Sequence, residues 1–400
     1  MKYSVIDISS SSISLIIAEA DERKTEIIFK DRISVSLLHY LDGKTLTERG
    51  TEKLIDALKT MKDECERFGV RYCYLISTAA LRVIANCDEV SRIVAEKTGL
   101  AVNFLDGKTE AFCDYVANLY YASYEKAVLI DLGGKSLEIC DLTKGSKDDM
   151  VCLDFGLLDI HRKFVKKIQP NEKEAKDIKK FVSDKFDDAK IPKKEVFATA
   201  VMVGATNHAV YDIYADYENL KTEDGVKRIE YKKFKKLVGH LLGDAERSTL
   251  ILNNAPEKLY LIGPAAIILK TIFKRFDLKS IVVSDRGVKE GYLQLVLEGK
   301  EAGQYYDLQE KKVGGVPRES IESASISKVQ PEKTKKSDKN AGKEKSQNVS
   351  EKKKERAEKP QKPEKTDSQK KPEGAAAAVP AKKRGRPPKK QAESEPDKKD

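Results

Sequence analysis

A chain of 400 residues is longer than one hydrophobic core usually serves, so two or more domains are expected. The formal net charge is +10, but residues 301–400 hold 27 Lys and Arg against 18 Asp and Glu, which leaves residues 1–300 close to neutral. This distribution excludes a nucleic-acid-binding interpretation of the first 300 residues that rests on net charge alone.

The cysteines and the apolar segments predict a reduced, cytoplasmic protein. The six cysteines form no CxxC pair and do not cluster with the four histidines, which argues against structural zinc. The N-terminal apolar stretch before Ala18-Glu19-Ala20 imitates a signal peptide, but Asp7 and a serine run interrupt it. No segment is long and apolar enough to span a bilayer, so no membrane association is expected.

In chain order, the first predicted element is a β-hairpin over residues 3–17. Asp7 lies near the end of an apolar strand. A turn follows, made of Ser9, Ser10, Ser11 and Ser12, and a second strand begins after it. The pattern then predicts a strand over 24–38, a helix capped by Thr47, a strand over 71–77, a helix from Asp88, a strand over 102–105 and a helix over 108–121.

A second hairpin over residues 127–142 repeats this arrangement. Its apolar strand delivers Asp131 into a turn that holds Gly133 and Gly134. Glycines with positive φ would let consecutive amides point into one concavity that suits phosphate oxygens. The elements expected after it are strands over 150–153, 196–203, 258–262 and 281–283 and helices over 157–168, 171–187, 205–214, 231–242, 265–276 and 288–297.

Both halves therefore begin with a hairpin and continue with alternating helices and strands. This predicts an α/β protein with two related lobes, residues 1–122 and 123–300, around a cleft that holds one phosphorylated ligand. Residues 301–400 are rich in Lys, Glu and Pro and poor in aromatic residues, so a disordered tail is expected there.

Five motifs, in this order, resemble the exopolyphosphatase / guanosine pentaphosphate phosphohydrolase (Ppx/GppA) family over roughly residues 1–298. They are VIDISSSS at 5–12, STAALR at 77–82, LDGKTEA at 105–111, IDLGGKSLE at 130–138 and SDRGVKEG at 284–291. The family belongs to the actin-like ATPase superfamily, so the resemblance implies two ribonuclease-H-like lobes. It also makes a homodimer plausible.

The resemblance implies hydrolysis of a terminal phosphoanhydride in polyphosphate or guanosine pentaphosphate, assisted by Mg²⁺. Glu110 matches the family's catalytic glutamate, the general base for the attacking water. Asp7, Asp131 and Glu138 match acids beside the metal, and Asp131 and Glu138 are counted with Glu110 as catalytic. Acids of this kind can hold Mg²⁺ against a phosphate, since phosphoryl transfer depends on positioning and charge neutralisation. Glu110 could also be a solvated residue at a helix N-terminus.

Phosphate contacts are expected from both turns and from one arginine. The residues are Ser9, Ser10, Ser11, Ser12, Arg82, Gly133, Gly134, Lys135 and Ser136. Three departures from the family pattern bear on activity: Ser9 replaces Gly at an expected cost of about 1 kcal/mol, Ser11 replaces Asn, and Lys135 replaces a third Gly. Lys135 could place its ammonium on the phosphate or obstruct the turn. Arg82 could instead be an ordinary surface ion-pair former.

These departures leave other functions open. The chain could be a catalytically weak or inactive protein that binds a phosphate ligand, or an ATP-using kinase or chaperone-like member of the superfamily. A short turn at 204–206 either contacts the ligand or simply joins a strand to a helix.

The tail offers a further alternative, a DNA-binding protein that acts through KKRGRPPKK at residues 382–390. This segment resembles an AT-hook whose core is Arg384, Gly385, Arg386 and Pro387. Extended arginines can enter the narrow minor groove of A·T-rich DNA. A generic solvated polycation, or a segment that captures polyphosphate through its charge, would have the same composition.

Overall fold

The computed structural model describes residues 1–21, 24–194, 196–220, 225–243 and 246–316. The AT-hook-like segment at 382–390, and all of the predicted tail beyond residue 316, lie outside these residues. The disordered tail and its DNA contact therefore stay predictions.

The described strands form two large sheets and one small hairpin. In chain order the strands are β1 (Lys2–Ile8), β2 (Ser12–Ala20), β3 (Thr25–Ser34), β4 (Leu41–Asp42), β5 (Thr45–Leu46), β6 (Tyr72–Ser77), β7 (Val102–Phe104), β8 (Ala127–Leu132), β9 (Leu137–Asp141), β10 (Val151–Leu153), β11 (Thr199–Val203), β12 (Lys227–Glu230), β13 (Ser280–Val283), β14 (Gln304–Asp307) and β15 (Lys312–Gly315).

The described helices cover both sheets. They are α1 (Glu48–Arg67), α2 (Ala79–Arg82), α3 (Cys87–Thr98), α4 (Gly107–Ala117), α5 (Leu157–Phe164), α6 (Glu172–Asp188), α7 (Ala205–Tyr217), α8 (Tyr231–Gly243), α9 (Arg247–Asn254), α10 (Ile262–Phe276) and α11 (Val288–Leu297). Thr47 caps α1 as predicted, because its side chain accepts a hydrogen bond from the amide of Gly50 at 3.2 Å.

The two sheets share one core pattern, which confirms the predicted duplication. In the first sheet β1 pairs with β2 and β2 with β3 antiparallel, while β1 pairs with β6 and β6 with β7 in parallel. In the second sheet β8, β9 and β10 are antiparallel neighbours, and β8, β11 and β13 are parallel ones. The hairpin turns of the two sheets hold residues 9–12, here called the first loop, and residues 133–136, here called the second loop.

The predicted boundary at residue 300 differs from the structure. Helix α11 packs against α4 and β1, and its residues Tyr292, Leu293 and Leu295 belong to an apolar cluster of the first sheet with Val5 and Tyr74. The chain thus returns to the first lobe near residue 288. The second lobe is an insertion between two parts of the first.

The tail also begins later than predicted, because β14 and β15 extend the first sheet. Strand β14 pairs antiparallel with β6 beyond the point where β7 stops. The Asn103 side chain joins the two, since its amide donates to the carbonyls of Leu75 (3.0 Å) and Gln304 (2.8 Å) and its oxygen accepts from the Gln304 amide (2.8 Å). A composition average over 100 residues concealed this short hairpin.

One predicted strand, over residues 258–262, is wrong. Pro256–Lys258 is a 3₁₀ turn, and α10 begins at Ile262. Residues 259–262 form a short apolar run, Leu-Tyr-Leu-Ile, and periodicity alone cannot distinguish such a run from the approach to a buried helix. Within the described residues, no helix combines the length and the apolar character needed to cross a bilayer.

Candidate active site between the two loops

The first loop is closed by its own serines. The amide of Ser9 donates to the carbonyl of Ser12 at 3.0 Å, and the hydroxyl of Ser9 donates to the same carbonyl at 2.8 Å. The amide of Ser12 in turn lies 3.3 Å from the hydroxyl of Ser9. The side chain of Ser9 therefore stabilises the loop, and the loop keeps its shape without the glycine of the family pattern.

The second loop is held by the first turn of α5. The amide of Gly133 donates to the carbonyl of Ser136 at 3.1 Å. The amides of Leu157 and Leu158 donate to the carbonyls of Gly133 (3.0 Å) and Gly134 (2.9 Å). Two of the free amides at this helix start are thereby satisfied by the loop, and the loop is positioned by a neighbouring element.

Close packing explains the glycines of this region. A Cβ on Gly156 would overlap the backbone between Gly134 and Lys135, so α5 can approach the second loop only because position 156 lacks a side chain. A Cβ on Gly134 would lie 2.9 Å from Cδ1 of Leu158 and 3.4 Å from Cβ of Ser10. The contact with Ser10 shows that the two loops face each other.

The conformational reason expected for the loop glycines is wrong. Neither Gly133 nor Gly134 has a positive φ, and Ser9 does not have one either. Gly134 is needed for space and not for a left-handed backbone, and Ser9 carries no backbone strain.

Asp7 and Asp131 occupy equivalent places near the ends of β1 and β8. Asp7 lies opposite Ser14 across the first hairpin, and Asp131 lies opposite Glu138 across the second. The duplicated sheet therefore directs one acid from each lobe into the cleft, and β9 adds Glu138 beside the second of them.

Glu110 reaches the same cleft from the first turn of α4. Asp106 caps this helix by accepting from the amide of Thr109 at 2.9 Å, which fixes the position of Glu110 one residue later. Glu110 is 8 % exposed, so it is not the solvated helix residue of the alternative interpretation.

Burial and mutual repulsion disturb the titration of the four acids. Burial, then the charges of Glu138 and Asp131, raises the pKa of Glu110 well above its ordinary value. Burial and Asp131 raise the pKa of Glu138 to about 8, and burial and Asp7 raise the pKa of Asp131 to about 6. Burial raises the pKa of Asp7 as well, although Lys289 opposes this shift. Such shifts arise where like charges are crowded out of water.

Several oxygens of these acids accept no hydrogen bond from the described residues: Oδ1 of Asp7, Oε2 of Glu110, Oδ1 of Asp131 and both Oε atoms of Glu138. Unpartnered buried carboxylate oxygens fit a cation site. No three acid or histidine side chains in the described ranges converge tightly enough to ligate a bare ion. Mg²⁺ keeps several waters and uses one or two carboxylates with substrate phosphates, so the set fits a hydrated Mg²⁺.

The two cations predicted from the motifs are both engaged with the protein. The ammonium of Lys135 lies 2.7 Å from Oδ1 of Asp159 on α5, although Lys135 also lines the cleft. Arg82 donates a hydrogen bond to the carbonyl of Leu105 and is exposed at the end of α2. Its charge still lowers the pKa of Glu110, which places it within electrostatic reach of the acids.

Other cations of the cleft were not predicted as site residues. Lys30, Arg32 and Lys289 line it, and Lys258 lies below the first loop with its ammonium 3.4 Å from the hydroxyl of Ser11. Burial and Arg32 lower the pKa of Lys258 to about 8. Lys289 stands inside a recognised motif, but Lys30 and Arg32 alternate on an ordinary exposed strand, and no sequence signal distinguishes them.

Glu290, also in the last motif, has a structural role. Its Oε1 atom lies 2.5 Å from the ammonium of Lys30, and its Oε2 atom accepts from the amide of Gly287 at 3.0 Å. It therefore caps α11 and ties that helix to β3.

Gly204 at the end of β11 forms the floor beside Asp131. Its φ is 98°, in the left-handed region, and a Cβ there would lie 2.7 Å from Oδ1 of Asp131. Gly204, Ala205 and Thr206 line the cleft, so the turn is both a strand-to-helix connection and part of the candidate site.

The cleft has a volume of about 830 Å³ and a distinct charge pattern. Carboxylates lie at its floor, serine and glycine loops flank them, and Lys30, Arg32 and Lys289 stand toward the outside. A floor of acids can hold a hydrated cation, while outer cations attract a polyanion. The arrangement can therefore bind a phosphate chain through a metal ion and through direct contacts at once.

Comparison with known proteins gives the same relationship over most of the chain. The model of the Ppx/GppA phosphatase family matches residues 16–298. The structure of the Aquifex aeolicus member of that family is similar, with a TM-score of 0.62 and 26 % identity, over 75 % of this chain and 99 % of that one. An exopolyphosphatase from Cytophaga hutchinsonii, 16 % identical with a TM-score of 0.66, covers 75 % of this chain and 98 % of its own and shares the fold.

A bifunctional 3-dehydroquinate synthase/phosphatase of Fusobacterium nucleatum is 24 % identical over 314 residues, which are 74 % of this chain and 46 % of that protein. The chain spans less than half the length of the curated relatives it matches.

Proposed function

The chain belongs to the Ppx/GppA phosphatase family, and on that premise we propose that it releases terminal phosphate from inorganic polyphosphate or guanosine pentaphosphate. The observation that carries this proposal is the convergence of Asp7, Glu110 and Asp131, from both lobes, in a cleft flanked by two loops, with Glu138 buried within electrostatic reach of them.

In the proposed mechanism the two loops hold the phosphate chain through their amides and hydroxyls. Asp7, Asp131 and Glu138 would hold a hydrated Mg²⁺, some of them through its waters, and the bound ion would supply neutralisation of the phosphate charge. Glu110 orients and deprotonates the attacking water. Burial and the neighbouring acids raise the pKa of Glu110 above its ordinary value, which makes its carboxylate a stronger base toward that water.

Phosphate release from each substrate, measured with malachite green, tests the general base. Glu110→Gln keeps the shape of the side chain and removes the base, so the rate should fall on the order of 10²–10⁴-fold. Glu52→Gln, on the exposed face of α1, is the matched control and should leave the rate unchanged. A Glu110→Gln enzyme with wild-type phosphate release would remove the assignment.

The ion pair of Lys135 with Asp159 favours a second candidate, a protein that binds phosphate chains with weak or no hydrolysis. Lys135 stands where the family pattern has a glycine, and its ammonium is paired with Asp159 and not free for phosphate. In that case wild-type protein would bind polyphosphate in calorimetry and release no phosphate over Mg²⁺-free background. The substrate preference between polyphosphate and guanosine pentaphosphate follows from the same release assay.

The expected homodimer and the cytoplasmic location remain predictions. Analytical ultracentrifugation of the full chain checks the first, because a single 44.8 kDa species would exclude a stable dimer.

A further inference from the structure

A fifth acid in the cleft, Asp114, has no role among the motifs. It lies on α4 one turn after Glu110, so both side chains leave the same face of the helix. Asp114 lines the cleft, is 1 % exposed, and neither of its carboxylate oxygens accepts a hydrogen bond from the described residues.

The charged groups that influence Asp114 are acids. The largest influences after burial are the charges of Asp131, Glu110, Glu138 and Glu290. The amide of Asn118, one turn further along α4, donates to the backbone carbonyl of Asp114 and to the carbonyl of Arg286, and leaves the carboxylate alone.

A buried carboxylate in such surroundings needs either a proton or a cation, because an unpaired buried charge costs several kcal/mol. With a proton, Asp114 would act as a structural hydrogen-bond donor to Asp131, whose carboxyl is its neighbour. With a cation, it would be part of the site that Asp131 already belongs to. As a protonated donor Asp114 would be neutral, whereas as part of the cation site it would carry a negative charge.

We propose that Asp114 is an additional carboxylate of the divalent-cation site, a positioning residue that helps Asp131 to hold a hydrated ion from the side of α4. This inference rests on the proposed function. It is carried by the two unpartnered oxygens of Asp114, a residue that lines the same cleft as Asp131 and lies within electrostatic reach of Glu138.

Two glycines border this group of acids. A Cβ on Gly287 would lie 3.5 Å from Oδ1 of Asp114, and a Cβ on Gly204 would lie 2.7 Å from Oδ1 of Asp131. Glycine at 287 and glycine at 204 thus both border the acids without placing side chains between them. Carboxylates around a hydrated ion orient its waters, and the loss of one such partner typically weakens metal binding about 10- to 100-fold.

Asp114→Asn separates the two roles, because asparagine is isosteric with protonated aspartic acid and can still donate to Asp131. Mn²⁺ binding to the full chain, followed by electron paramagnetic resonance of free Mn²⁺, is the readout. We expect the dissociation constant to rise about 10- to 100-fold in Asp114→Asn. Asp56→Asn, on the exposed face of α1, removes one charge far from the cleft and should bind as wild type does.

Wild-type affinity in Asp114→Asn would overturn the proposal and leave the protonated donor. The rise in melting temperature on adding Mg²⁺ gives a second readout, which should be smaller in Asp114→Asn than in wild type. Asp114→Ser is the reserve variant, with the same expectation, if the asparagine variant does not fold.

The measurement also separates this inference from the proposed function. A wild-type chain that binds no Mn²⁺ would remove the cation from the proposed mechanism, and the inference with it. A wild-type chain that binds Mn²⁺ as tightly as Asp114→Asn would remove only the inference.

Discussion

Asp7 and Asp131 stand at equivalent positions in the two lobes, yet their surroundings differ. Across the hairpin, Asp7 faces the hydroxyl residue Ser14, whereas Asp131 faces the buried acid Glu138. The first loop closes on itself through Ser9, while the second is closed by α5. The duplication thus supplies the frame twice, but only in the second lobe does the partner strand add an acid, Glu138, and does a following helix close the loop.

Gly156→Ala should disturb the packing of α5 against the second loop more than any other change considered, because the added Cβ overlaps the backbone of that loop. We expect a loss of about 1–3 kcal/mol in the free energy of unfolding and a loss of activity greater than that of any first-loop variant. Urea unfolding and phosphate release measure the two effects.

Gly239→Ala is the matched control. Gly239 lies inside α8 without a positive φ, and no atom lies within 4 Å of its added Cβ. The free energy of unfolding should rise by up to about 1 kcal/mol, since alanine favours helix over glycine. Equal losses in both glycine variants would refute the packing account of the second loop.

The acid pair Asp131 and Glu138 predicts a pH dependence of stability, to which Glu138 contributes a large shift. Glu138 has a pKa of about 8 in the folded chain against an ordinary 4.5, so the folded state holds its proton more tightly than the unfolded state does. Without divalent cations, the free energy of unfolding should therefore fall as the pH rises from about 4.5 to about 8, on the order of 5 kcal/mol in total.

Glu138→Gln cannot ionise and should flatten this fall, as urea unfolding at several pH values would reveal. Asp131, with a pKa of about 6, contributes in the same direction at lower pH. If the free energy of unfolding fell as steeply with pH in Glu138→Gln as in wild type, groups other than Glu138 would be responsible for the pH dependence.

The ion pair of the second loop has a smaller expected effect. Asp159→Asn releases the ammonium of Lys135, which can then turn toward phosphate. Because partly exposed pairs contribute about 0.2–1 kcal/mol, the KM for polyphosphate should fall no more than about fivefold, with kcat unchanged. Asp148→Asn, at an exposed pair with Lys108, should leave both constants unchanged. A higher KM in Asp159→Asn would show that Asp159 aims Lys135 at the substrate.

The smallest effect is expected in the first loop. Ser9→Gly restores the residue of the family but removes the hydroxyl that bonds the carbonyl of Ser12. The free energy of unfolding should decrease by about 1 kcal/mol, and Ser9→Ala should lose a similar amount. Chemical denaturation of both variants tests this. A Ser9→Gly variant more stable than wild type would indicate backbone strain at Ser9, which the structure does not show.

The sequence predicted the two-lobed frame because hairpins with an apolar strand, an acid and a small-residue turn have a strong local signature. The motifs named Asp7, Asp131, Glu138 and Glu110 as candidate site residues. The other side chains near these acids come from distant segments of the chain, so the sequence did not predict them. Asp114 was missed because an acid inside a helix has no local signature, and only the packing of α4 against β8 and α11 buries it.

The reasons for individual residues were harder to predict than their positions. Gly134 was expected to allow a positive φ, but in the structure its missing side chain allows α5 to pack close to the second loop. The partner of Lys135 is Asp159 on α5, and no sequence pattern predicts how close α5 lies to the second loop. The return of β14 to β6 spans the whole second lobe, and such long-range pairing has no short-range signal.

The bond between Asn103 and Gln304 joins residues 201 positions apart, so this part of the first sheet can form only after residue 304 has been synthesised. The second lobe is complete on the chain before β14 emerges, whereas the first sheet must wait for it. We therefore expect the inserted lobe to fold first, although it comes second in the chain. A nascent chain that stops near residue 300 would leave one tyrosine-rich edge of β6 uncovered, an open strand on which two unfinished copies could pair.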